Sequence, residues 1–415
     1  LGGVLLAFFV LFIILIIDIA DQNVKNEVLG QARFLRALGY FYINALWNGG
    51  PLRTEETPPQ QVSIPRASPE EIWTQIETDL TQAIQELPVS WDDNNAGRAT
   101  KGAAQALLGK AHLYQEEWPQ AETQLMAVIN SDQYYLLGGS DDPNEATTID
   151  EAIAAMRQNH DFGVKNPREA IFEVQFKSGE GGLSWDSNSA TGRAEGTVRP
   201  QEYGVDGFSF YNAKPSDELV AAFERIVPGN NDKGNIDPRF QAFFFTKYDT
   251  LEKDGKIPYS TILATAGYAW KKYQHSTTVQ NPGNASDNDV NHDVIRYADV
   301  LLMAAEAKIQ QGGAKVAEGI ALINQVRRRA DPTGTILADR PTSASQSEAI
   351  DYLIQERRIE LAGEQVRRTD LVRWGIADQY LSGFQSGKHE YFPIPQSEID
   401  ANREMTSDDQ NPNYN

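Results

Sequence analysis

Acidic and basic side chains alternate in one segment near the C-terminal end of the 415-residue chain, AIDYLIQERRIELAGEQVRRTDLVRWG (349–375). Glu356, Glu360 and Glu364 recur every four residues, which places them on one face of a helix. The arginines of the same segment are Arg357, Arg358, Arg367, Arg368 and Arg373. Since a guanidinium group binds carboxylates in pairs, these residues could form an anion site or a structural ion-pair network. We favour the structural network because each arginine has an acidic neighbour within a helical turn.

Aromatic side chains in or beside two polar loops, 178–215 and 275–293, could bind a sugar. Flat rings stack on the apolar faces of sugars, while nearby amides and acids bind the hydroxyl groups. The candidate rings are Trp185, Trp270, Tyr203, Tyr211, Tyr268 and Tyr273. The two tryptophans are the strongest candidates because polar residues flank them. The alternative is that these rings fill the underside of their own loops. If removal of Trp185 and of Trp270 leaves binding unchanged, a site is expected elsewhere, near Trp47, Trp73 or Trp91.

Sequence motifs for catalysis or metal binding are absent. The chain has no cysteine, which excludes disulfides, zinc–thiolate sites and thiol nucleophiles, and its five histidines never fall at metal-ligand spacing. Asp287, Asp289 and Asp293 are spaced like calcium ligands, but the loop lacks the central glycine and terminal glutamate of an EF-hand. We interpret them as solvated loop acids and predict no cofactor and no metal. A glycoside hydrolase remains an alternative, since it needs only two of the 58 acidic residues.

The overall charge limits the partners. A formal net charge of −21 argues against nucleic acid, because a phosphate backbone requires a basic protein surface. The hydrophobic content of 40% and the aromatic content of 10% are typical of a packed globular protein.

The first 17 residues, LGGVLLAFFVLFIILII, are apolar without interruption. As a helix they would reach about 25 Å, a little less than the ~30 Å hydrocarbon core of a bilayer. No basic residue precedes them, as it would in a signal peptide. We interpret residues 1–20 as an incomplete or misread N-terminus, or as a bare hydrophobic anchor. We expect their removal to preserve the fold and to raise solubility.

Helical periodicity dominates the remaining chain. A helix is predicted at 27–46, and its apolar face is formed by Leu29, Leu35, Leu38, Tyr42 and Ala45. Another is predicted at 68–88, where Ser68 caps the first turn and Glu71 completes a capping box.

Two segments, 101–130 and 297–330, each resemble one tetratricopeptide unit, in which small residues let two helices approach closely. The small residues lie twelve positions apart: Gly109 and Ala121 in the first copy, Ala305 and Ala317 in the second. Between the copies, the alternating pattern at 169–178 predicts a short strand.

Several motifs, in order, resemble the SusD/RagB family of outer-membrane nutrient-binding lipoproteins. They are IRYADVLLMAAEA (295–307), INQVRRRA (323–330), QERRIELAGEQVRRTDLVRWG (355–375), YFPIPQSEI (391–399) and QNPNY (410–414). The likeness runs from about residue 27 to the end of the chain.

The resemblance implies a mostly α fold, with a tetratricopeptide-like helix-pair scaffold, long irregular loop insertions and a few short strands. It implies one SusD-like domain at 21–415. Within this domain the helical scaffold would occupy 27–130 and 295–375, and a loop-rich ligand-binding insertion would occupy about 140–293.

The resemblance also implies a function. Family members are exposed on the surface of Gram-negative bacteria, where they capture oligosaccharides or other nutrients for a SusC-like TonB-dependent transporter and do no chemistry on them. They are held on the outer membrane by an N-terminal lipid anchor, which is not present in this sequence. Their ligand-contacting residues vary, so the resemblance assigns no individual binding residue. Besides the glycoside hydrolase, a tetratricopeptide scaffold that binds peptides is an alternative, which would require an exposed helical groove.

Overall fold

The computed structural model describes residues 20–54, 57–58, 61–178, 196–197, 199–205, 212–252, 256–274 and 288–414. The chain forms two compact units. The first combines Leu1–Val128 with Val366–Asn415, and the second is Ile129–Gln365. The single domain expected at 21–415 stays a prediction, and each unit is described by itself. No helix among the described residues is both long enough and apolar enough to cross a membrane.

Helices are the main elements of both units. In chain order they are α1 (Gln22–Trp47), α2 (Pro69–Glu86), α3 (Lys101–Tyr114), α4 (Trp118–Ile129), α5 (Ile149–Gln158), α6 (Arg199–Tyr203), α7 (Asp217–Ala222), α8 (Arg239–Phe243), α9 (Leu263–Ala266), α10 (Tyr297–Gln311), α11 (Lys315–Ala330), α12 (Gln346–Glu360), α13 (Arg367–Arg373), α14 (Ala377–Tyr380) and α15 (Gln396–Ala401). Short 3₁₀ turns lie at Asp93–Asn95, Tyr259–Thr261 and Ser407–Asp409.

The strands are short and pair two by two, antiparallel. They are β1 (Gly50–Pro51) with β2 (Arg66–Ala67), β3 (Ala170–Val174) with β6 (His292–Arg296), and β4 (Thr250–Glu252) with β5 (Lys256–Pro258). The strand predicted at 169–178 is therefore confirmed in its first half, as β3.

Local sequence sets the ends of the helices. Asp21 caps α1 by accepting hydrogen bonds from two backbone N–H groups of the first turn, those of Asn23 and Val24. The predicted start of α2 is confirmed, because Ser68 and Glu71 form a reciprocal capping box and proline occupies the first helical position.

The apolar face predicted for α1 is only partly the buried one. Leu29 is buried, but Leu35 and Tyr42 are 44% and 43% exposed. The face that packs on α2 is formed by Leu29, Ala32, Phe34, Ala37, Tyr40 and Phe41. This face also buries an ion pair, since Nε of Arg36 donates to Oδ2 of Asp79 at 2.8 Å. The helix thus carries apolar residues on two faces, and periodicity alone does not reveal which face has a partner.

Small residues bring the paired helices together. An added Cβ on Gly109 of α3 would lie 2.6 Å from Leu125 of α4, so the close approach predicted for the first copy is confirmed. In the second copy the contact residue is Gly319 rather than the predicted Ala317. A Cβ on Gly319 would lie 2.7 Å from the carbonyl oxygen of Ala305. The interval between the contacting residues is therefore fourteen positions, because helix crossing points are set by packing and not by a fixed repeat.

Candidate ligand site

The β3–β6 ribbon brings the ends of the two predicted ligand loops together. Val174 at the end of β3 lies opposite His292 at the start of β6, so one loop leaves the ribbon beside the point where the other enters. A second pairing, between Thr197 and Asn288, joins the middle of the first loop to the last part of the second. The fold therefore brings the start of the first loop and the end of the second loop to one region of the second unit.

Two of the six candidate rings, Trp185 and Tyr211, lie outside the described residues. Their role in ligand binding stays a prediction.

Trp270 lies in the hydrophobic core of the second unit and is 5% exposed. Its ring packs on Phe244 with a centroid distance of 5.0 Å and on Tyr203 at 5.8 Å. Gly363, with a φ of +81°, leaves room for the indole, since a Cβ there would lie 2.9 Å from it. The polar residues that flank Trp270 in the sequence led us to expect an exposed ring, but the ring is buried. Its burial argues against stacking on a sugar.

The remaining candidate rings are tyrosines in various states of burial. Tyr273 is fully buried beneath the guanidinium group of Arg199, which lies 4.3 Å from the ring centroid. Tyr203 is 9% exposed, and its hydroxyl group donates to the carbonyl oxygen of Gly363 at 3.1 Å. Tyr268 is only half-buried. Among the described candidates, Tyr268 alone keeps substantial exposure, and its role as a ligand contact stays a prediction.

Glu356 and Glu360 of α12, with Glu364 just after it, belong to a buried ionic cluster. Its five acids are Asp237, Glu169, Glu356, Glu360 and Glu364, and its five bases are Lys272, Arg239, Arg296, Arg327 and Arg329. Because the formal charges balance and every member is buried, the cluster has the properties of a structural network rather than of an exchangeable anion site.

Glu360 is the centre of this ionic cluster. It is fully buried and accepts from Arg296 at 2.8 Å, from Arg239 at 3.2 Å and from Arg329. Burial raises the pKa of Glu360, but the guanidinium groups of Arg329, Arg296 and Arg239 outweigh this and hold the pKa well below its ordinary value. The carboxylate therefore stays ionised over the whole physiological range.

The partners of these acids are not the arginines of the same segment, as the sequence suggested. Arg368 instead donates to the backbone carbonyl groups of His389 and Glu390, and Arg373 pairs with Asp370. Charge patterning identified the acids of the network correctly. It missed the bases, because they come from segments that only the tertiary fold brings close.

A second buried polar group lies beside the ionic cluster. Asp293 belongs to β6, so it is a core residue rather than the solvated loop acid expected from its spacing. Its Oδ2 lies 2.9 Å from Nδ1 of His160. Burial, followed by the charge of Lys272, lowers the pKa of His160 to about 3. Burial, followed by the charge of Glu364, raises the pKa of Asp293 to about 7.

The raised pKa of Asp293 favours its protonated form up to about neutral pH, whereas the lowered pKa of His160 favours the neutral imidazole. Both oxygens of Asp293 and Nδ1 of His160 are without a hydrogen-bond donor among the described residues. A proton on the carboxyl group lets it donate to the neutral imidazole, which satisfies both groups. Glu173 faces Asp293 across the ribbon, and burial together with Asp293 raises its pKa to about 7 as well. Since all three groups are buried, they are not placed to act on a ligand.

Glu77, His112 and Glu117 meet in the first unit, where one potential ligand atom of each lies within 4.8 Å of the others. Nδ1 of His112 contacts Glu117 at 2.6 Å, and the amide of Gln115 donates to Glu77 at 2.8 Å. Histidine spacing along the sequence missed this grouping. We assign no ion to it, because the groups already bind protein neighbours.

A cavity of about 270 Å³ opens in the first unit at the C-terminal end of α1. It is lined by Ile43, Trp47, Gly49, Gly50, Pro51, Ile394, Pro395, Ser397, Glu398 and Met405. The lining is mainly apolar, with one aromatic ring, one hydroxyl group and one carboxylate. This combination can hold the apolar face of a single sugar ring against Trp47 while the polar groups meet its hydroxyls.

Hydrogen bonds from side chains to backbone carbonyl groups fix the walls of the Trp47 cavity. Nε1–H of Trp47 donates to the carbonyl oxygen of Pro393 at 3.3 Å, and the ring packs near Phe392 at a centroid distance of 5.9 Å. The side-chain amide of Asn411 donates to the carbonyl oxygens of Trp47 and Phe392, at 3.0 and 2.7 Å. The YFPIP and QNPNY motifs therefore hold one wall against the end of α1.

The turn after α1 requires glycine. Gly49 has a φ of +111°, and a Cβ there would lie 2.6 Å from the carbonyl oxygen of Ala67. The sequence placed Trp47 only among fallback positions, because the two halves of the cavity lie almost 350 residues apart. The other fallback rings do not line the cavity: Trp73 packs on Phe41, and Trp91 donates to the carbonyl oxygen of Ala99.

Comparison with known proteins gives consistent results. A SusD-like protein of Formosa agariphila, P25, is 26% identical over 94% of this chain and 74% of its own length. A SusD superfamily protein of Bacteroides vulgatus is 28% identical, with a TM-score of 0.70 over 93% of this chain and 78% of that one. A structure described as a laminarin-binding SusD-like protein is 27% identical, with a TM-score of 0.71 over 98% of this chain and 83% of that one.

Two family profiles match the sequence. The profile described as "Starch-binding associating with outer membrane" matches residues 14–113. The profile of the SusD family matches residues 168–414, which is more than half of the chain. The helical architecture shared with the solved structures confirms the predicted tetratricopeptide-like fold class. Because the SusD profile covers most of the sequence, this chain belongs to the SusD family.

Proposed function

We propose that this protein binds oligosaccharides at the outer-membrane surface and delivers them to a SusC-like TonB-dependent transporter without chemical change. The observation that supports this most is the match of the SusD profile to residues 168–414. The starch-binding description of the second profile and the laminarin-binding title of a similar structure support a carbohydrate as the ligand class.

The Trp47 cavity is the part of the described structure that best suits a sugar ring. Its aromatic wall is held by hydrogen bonds from the side chains of Trp47 and Asn411 to backbone carbonyl groups, so the site is preformed and binding requires little ordering. The loop rings Trp185 and Tyr211 form the second part of the proposal, since the β3–β6 ribbon fixes the start of their loop beside the end of the second loop.

Calorimetry with laminarin tests the proposed cavity. An aromatic contact is worth about 0.5–1.5 kcal/mol beyond its buried area, and 1.4 kcal/mol corresponds to a factor of ten. We expect Trp47→Ala to weaken binding by about tenfold or more. Trp91→Ala is the matched control, because Trp91 lies in the same unit but does not line the cavity, and it should bind as the wild type does.

The two parts of the site can be distinguished. If Trp47→Ala binds normally and Trp185→Ala binds weakly, the ligand lies on the loops and not in the cavity. If neither variant changes binding, the assignment of aromatic residues is wrong. If the wild-type chain binds nothing on a broad glycan array, the proposed ligand class itself is wrong.

Two measurements test the absence of chemistry and the partner. Incubation of the protein with any glycan that it binds should release no new reducing ends. Release would instead favour the glycoside hydrolase alternative. Gentle extraction of the outer membrane should co-purify the protein with a TonB-dependent transporter, and isolation of the protein without one would contradict the delivery role.

A further inference from the structure

The Trp47 cavity has two polar side chains in its lining, and they are neighbours near the start of α15. They are Ser397 and Glu398, and every other lining residue is apolar or a glycine. Ser397 is exposed and Glu398 is half-buried. Among the described residues, neither side chain has a hydrogen-bond or ion-pair partner. The hydroxyl group and the carboxylate are therefore available to a ligand.

The charge that a ligand meets in this cavity is negative. No lysine, arginine or histidine lines it in the part of the chain that the structure describes. Arg66 contacts the same turn, but its Nη2 donates to the carbonyl oxygens of Trp47 and Asn48, at 2.8 and 2.7 Å. Its Nη1 donates to the carbonyl oxygen of Asp409. Because both terminal nitrogens are engaged by backbone oxygens, Arg66 is not available to bind an anionic ligand.

We propose that Glu398 makes the Trp47 cavity selective for neutral sugars with two adjacent free hydroxyl groups, and against uronic acids and sulfated sugars. This inference rests on the proposed function, since it takes a sugar as the ligand of the cavity. Each carboxylate oxygen accepts a hydrogen bond from one hydroxyl group while the apolar face of the ring packs on Trp47. A uronate or a sulfate ester brings a like charge and only acceptor oxygens to the same place, which disfavours binding.

The size of the cavity makes one sugar ring meet both groups. Its volume of about 270 Å³ lies just below the roughly 300–1,000 Å³ of pockets that hold drug-sized ligands. Such a volume accommodates a single ring rather than several. The ring that packs on Trp47 is therefore the ring that reaches Glu398, and a charged substituent on it has no second subsite in which to avoid the carboxylate.

A carboxylate in the cavity acts over a shorter range than the net charge of the chain. The net charge of −21 repels every anionic glycan, but salt screens this repulsion beyond roughly 10 Å at 0.1 M and beyond roughly 3 Å at 1 M. A contact between the half-buried Glu398 and a bound uronate is short enough to persist at 1 M salt. Selection against anions that remains at 1 M salt is thus the property that distinguishes Glu398 from the surface as a whole.

Calorimetry at 1 M salt, with laminarin-derived and alginate-derived oligosaccharides of equal length, tests this inference. We expect the wild type to bind the neutral oligosaccharide at least ~tenfold more tightly than the uronate. Glu398→Gln keeps the shape and one acceptor oxygen but removes the charge. In this variant we expect the affinity for the neutral oligosaccharide to fall about fivefold and that for the alginate oligosaccharide to rise about fivefold or more.

Asp400→Asn is the matched control. It makes the same chemical change on the same short helix, but Asp400 is exposed, accepts from the amide of Gln396 at 2.8 Å and does not line the cavity. We expect both affinities to stay at the wild-type values. An equal rise in alginate affinity in Asp400→Asn and Glu398→Gln would overturn the inference, because the surface charge and not the cavity would then exclude the anion. Melting temperatures of both variants verify that the chains are folded.

The failure of this inference differs from the failure of the proposed function. If Trp47→Ala weakens laminarin binding but Glu398→Gln changes neither affinity, the cavity holds the sugar without selecting its charge, and only this inference is wrong. If the wild type binds neither oligosaccharide, the proposed function fails and the inference fails with it.

The double variant Trp47→Ala/Glu398→Gln gives a second measurement. Because both residues are expected to contact one ring, their effects on laminarin affinity should not be additive. Strictly additive effects would contradict a shared ring and hence the role of Glu398 in the cavity.

Discussion

Among single residues, Glu360 shares its buried carboxylate with three guanidinium groups. Glu360→Ala leaves each of those arginines another acidic partner, but the charge-balanced cluster then holds one buried positive charge without compensation. Such a loss typically costs about 3–5 kcal/mol, and we expect a reduction of this size in the free energy of unfolding, measured by urea denaturation. Laminarin affinity of the folded fraction should not change.

An exposed ion pair gives the control for that experiment. Arg328 and Asp339 form an ion pair, but their side chains are 65% and 43% exposed. Pairs of this kind contribute ~0–1 kcal/mol, so Asp339→Ala should scarcely affect unfolding. A stable Glu360→Ala variant that fails to bind ligand would instead favour the anion-site interpretation of the segment.

The protonation of Asp293 predicts a dependence of stability on pH. Its pKa is about 7 in the folded protein against 3.8 ordinarily. The group therefore has no effect below about pH 4 and becomes increasingly destabilising as the pH rises to about 7. The lowered pKa of His160 acts in the opposite direction, because stability is lost as the pH falls from about 6.5 to about 3.

Asp293→Asn separates these two effects. The asparagine amide can still donate to His160, but the group no longer ionises. We expect the gain in free energy of unfolding of the variant over the wild type to be larger at about pH 8 than at about pH 5. Only the wild type carries the buried charge at the higher pH. Urea denaturation at both pH values measures this. If the stability difference between variant and wild type is the same at both pH values, Asp293 does not titrate between about pH 5 and about pH 8.

Among the elements, the crossing of α10 and α11 depends on Gly319, and that of α3 and α4 on Gly109. At Gly319 a methyl group would meet a backbone carbonyl oxygen at 2.7 Å, whereas at Gly109 it would meet mainly the side chain of Leu125. A side chain can shift more readily than a helix backbone. We therefore expect Gly319→Ala to be the more destabilising change, by about 1–3 kcal/mol, with the gain in helix propensity offsetting up to about 1 kcal/mol in each.

Thermal or urea unfolding of the two glycine variants checks this comparison. Equal effects would mean that α10 and α11 can move apart as easily as the Leu125 side chain can rotate. The pair is well matched, because the two substitutions are identical and both glycines lie within helices.

Elements that depend on local signals could be predicted, and those that depend on a partner could not. The capping box at Ser68 and the helix break near Trp118 are encoded within a few residues, and the structure contains both. The orientation of α1 was predicted incorrectly because Leu35 and Tyr42 satisfy the same periodicity as the buried residues. The family and its fold class were predicted correctly because long ordered motifs specify them together.

The ligand site was less predictable from sequence than the fold. Polar flanks were the only local signal for exposed rings, and for Trp270 that signal was misleading because the ring fills a space beside Gly363. The Trp47 cavity is formed by segments at opposite ends of the sequence, which no local pattern relates. For the whole molecule, therefore, tertiary contacts rather than residue types determine which aromatic rings are available.

At the scale of the whole molecule, the net charge of −21 favours neutral glycans. Exposed charges interact over roughly 10 Å at 0.1 M salt and over roughly 3 Å at 1 M. We expect laminarin, which is neutral, to bind with the same affinity across that range. An anionic polysaccharide such as alginate should bind more weakly at low salt than at high salt. Calorimetry at two salt concentrations checks this, and tighter binding of alginate at low salt would indicate a local basic site.

The β3–β6 ribbon has a consequence for how such proteins diversify. The first predicted ligand loop begins shortly after Val174 and the second ends beside His292, and the ionic cluster around Arg296 and Glu360 secures the ribbon from within. Insertions or replacements inside either loop carry a small entropic penalty that grows only slowly with loop length. Ligand preference can thus evolve by replacement of the two loops while the helical scaffold stays unchanged.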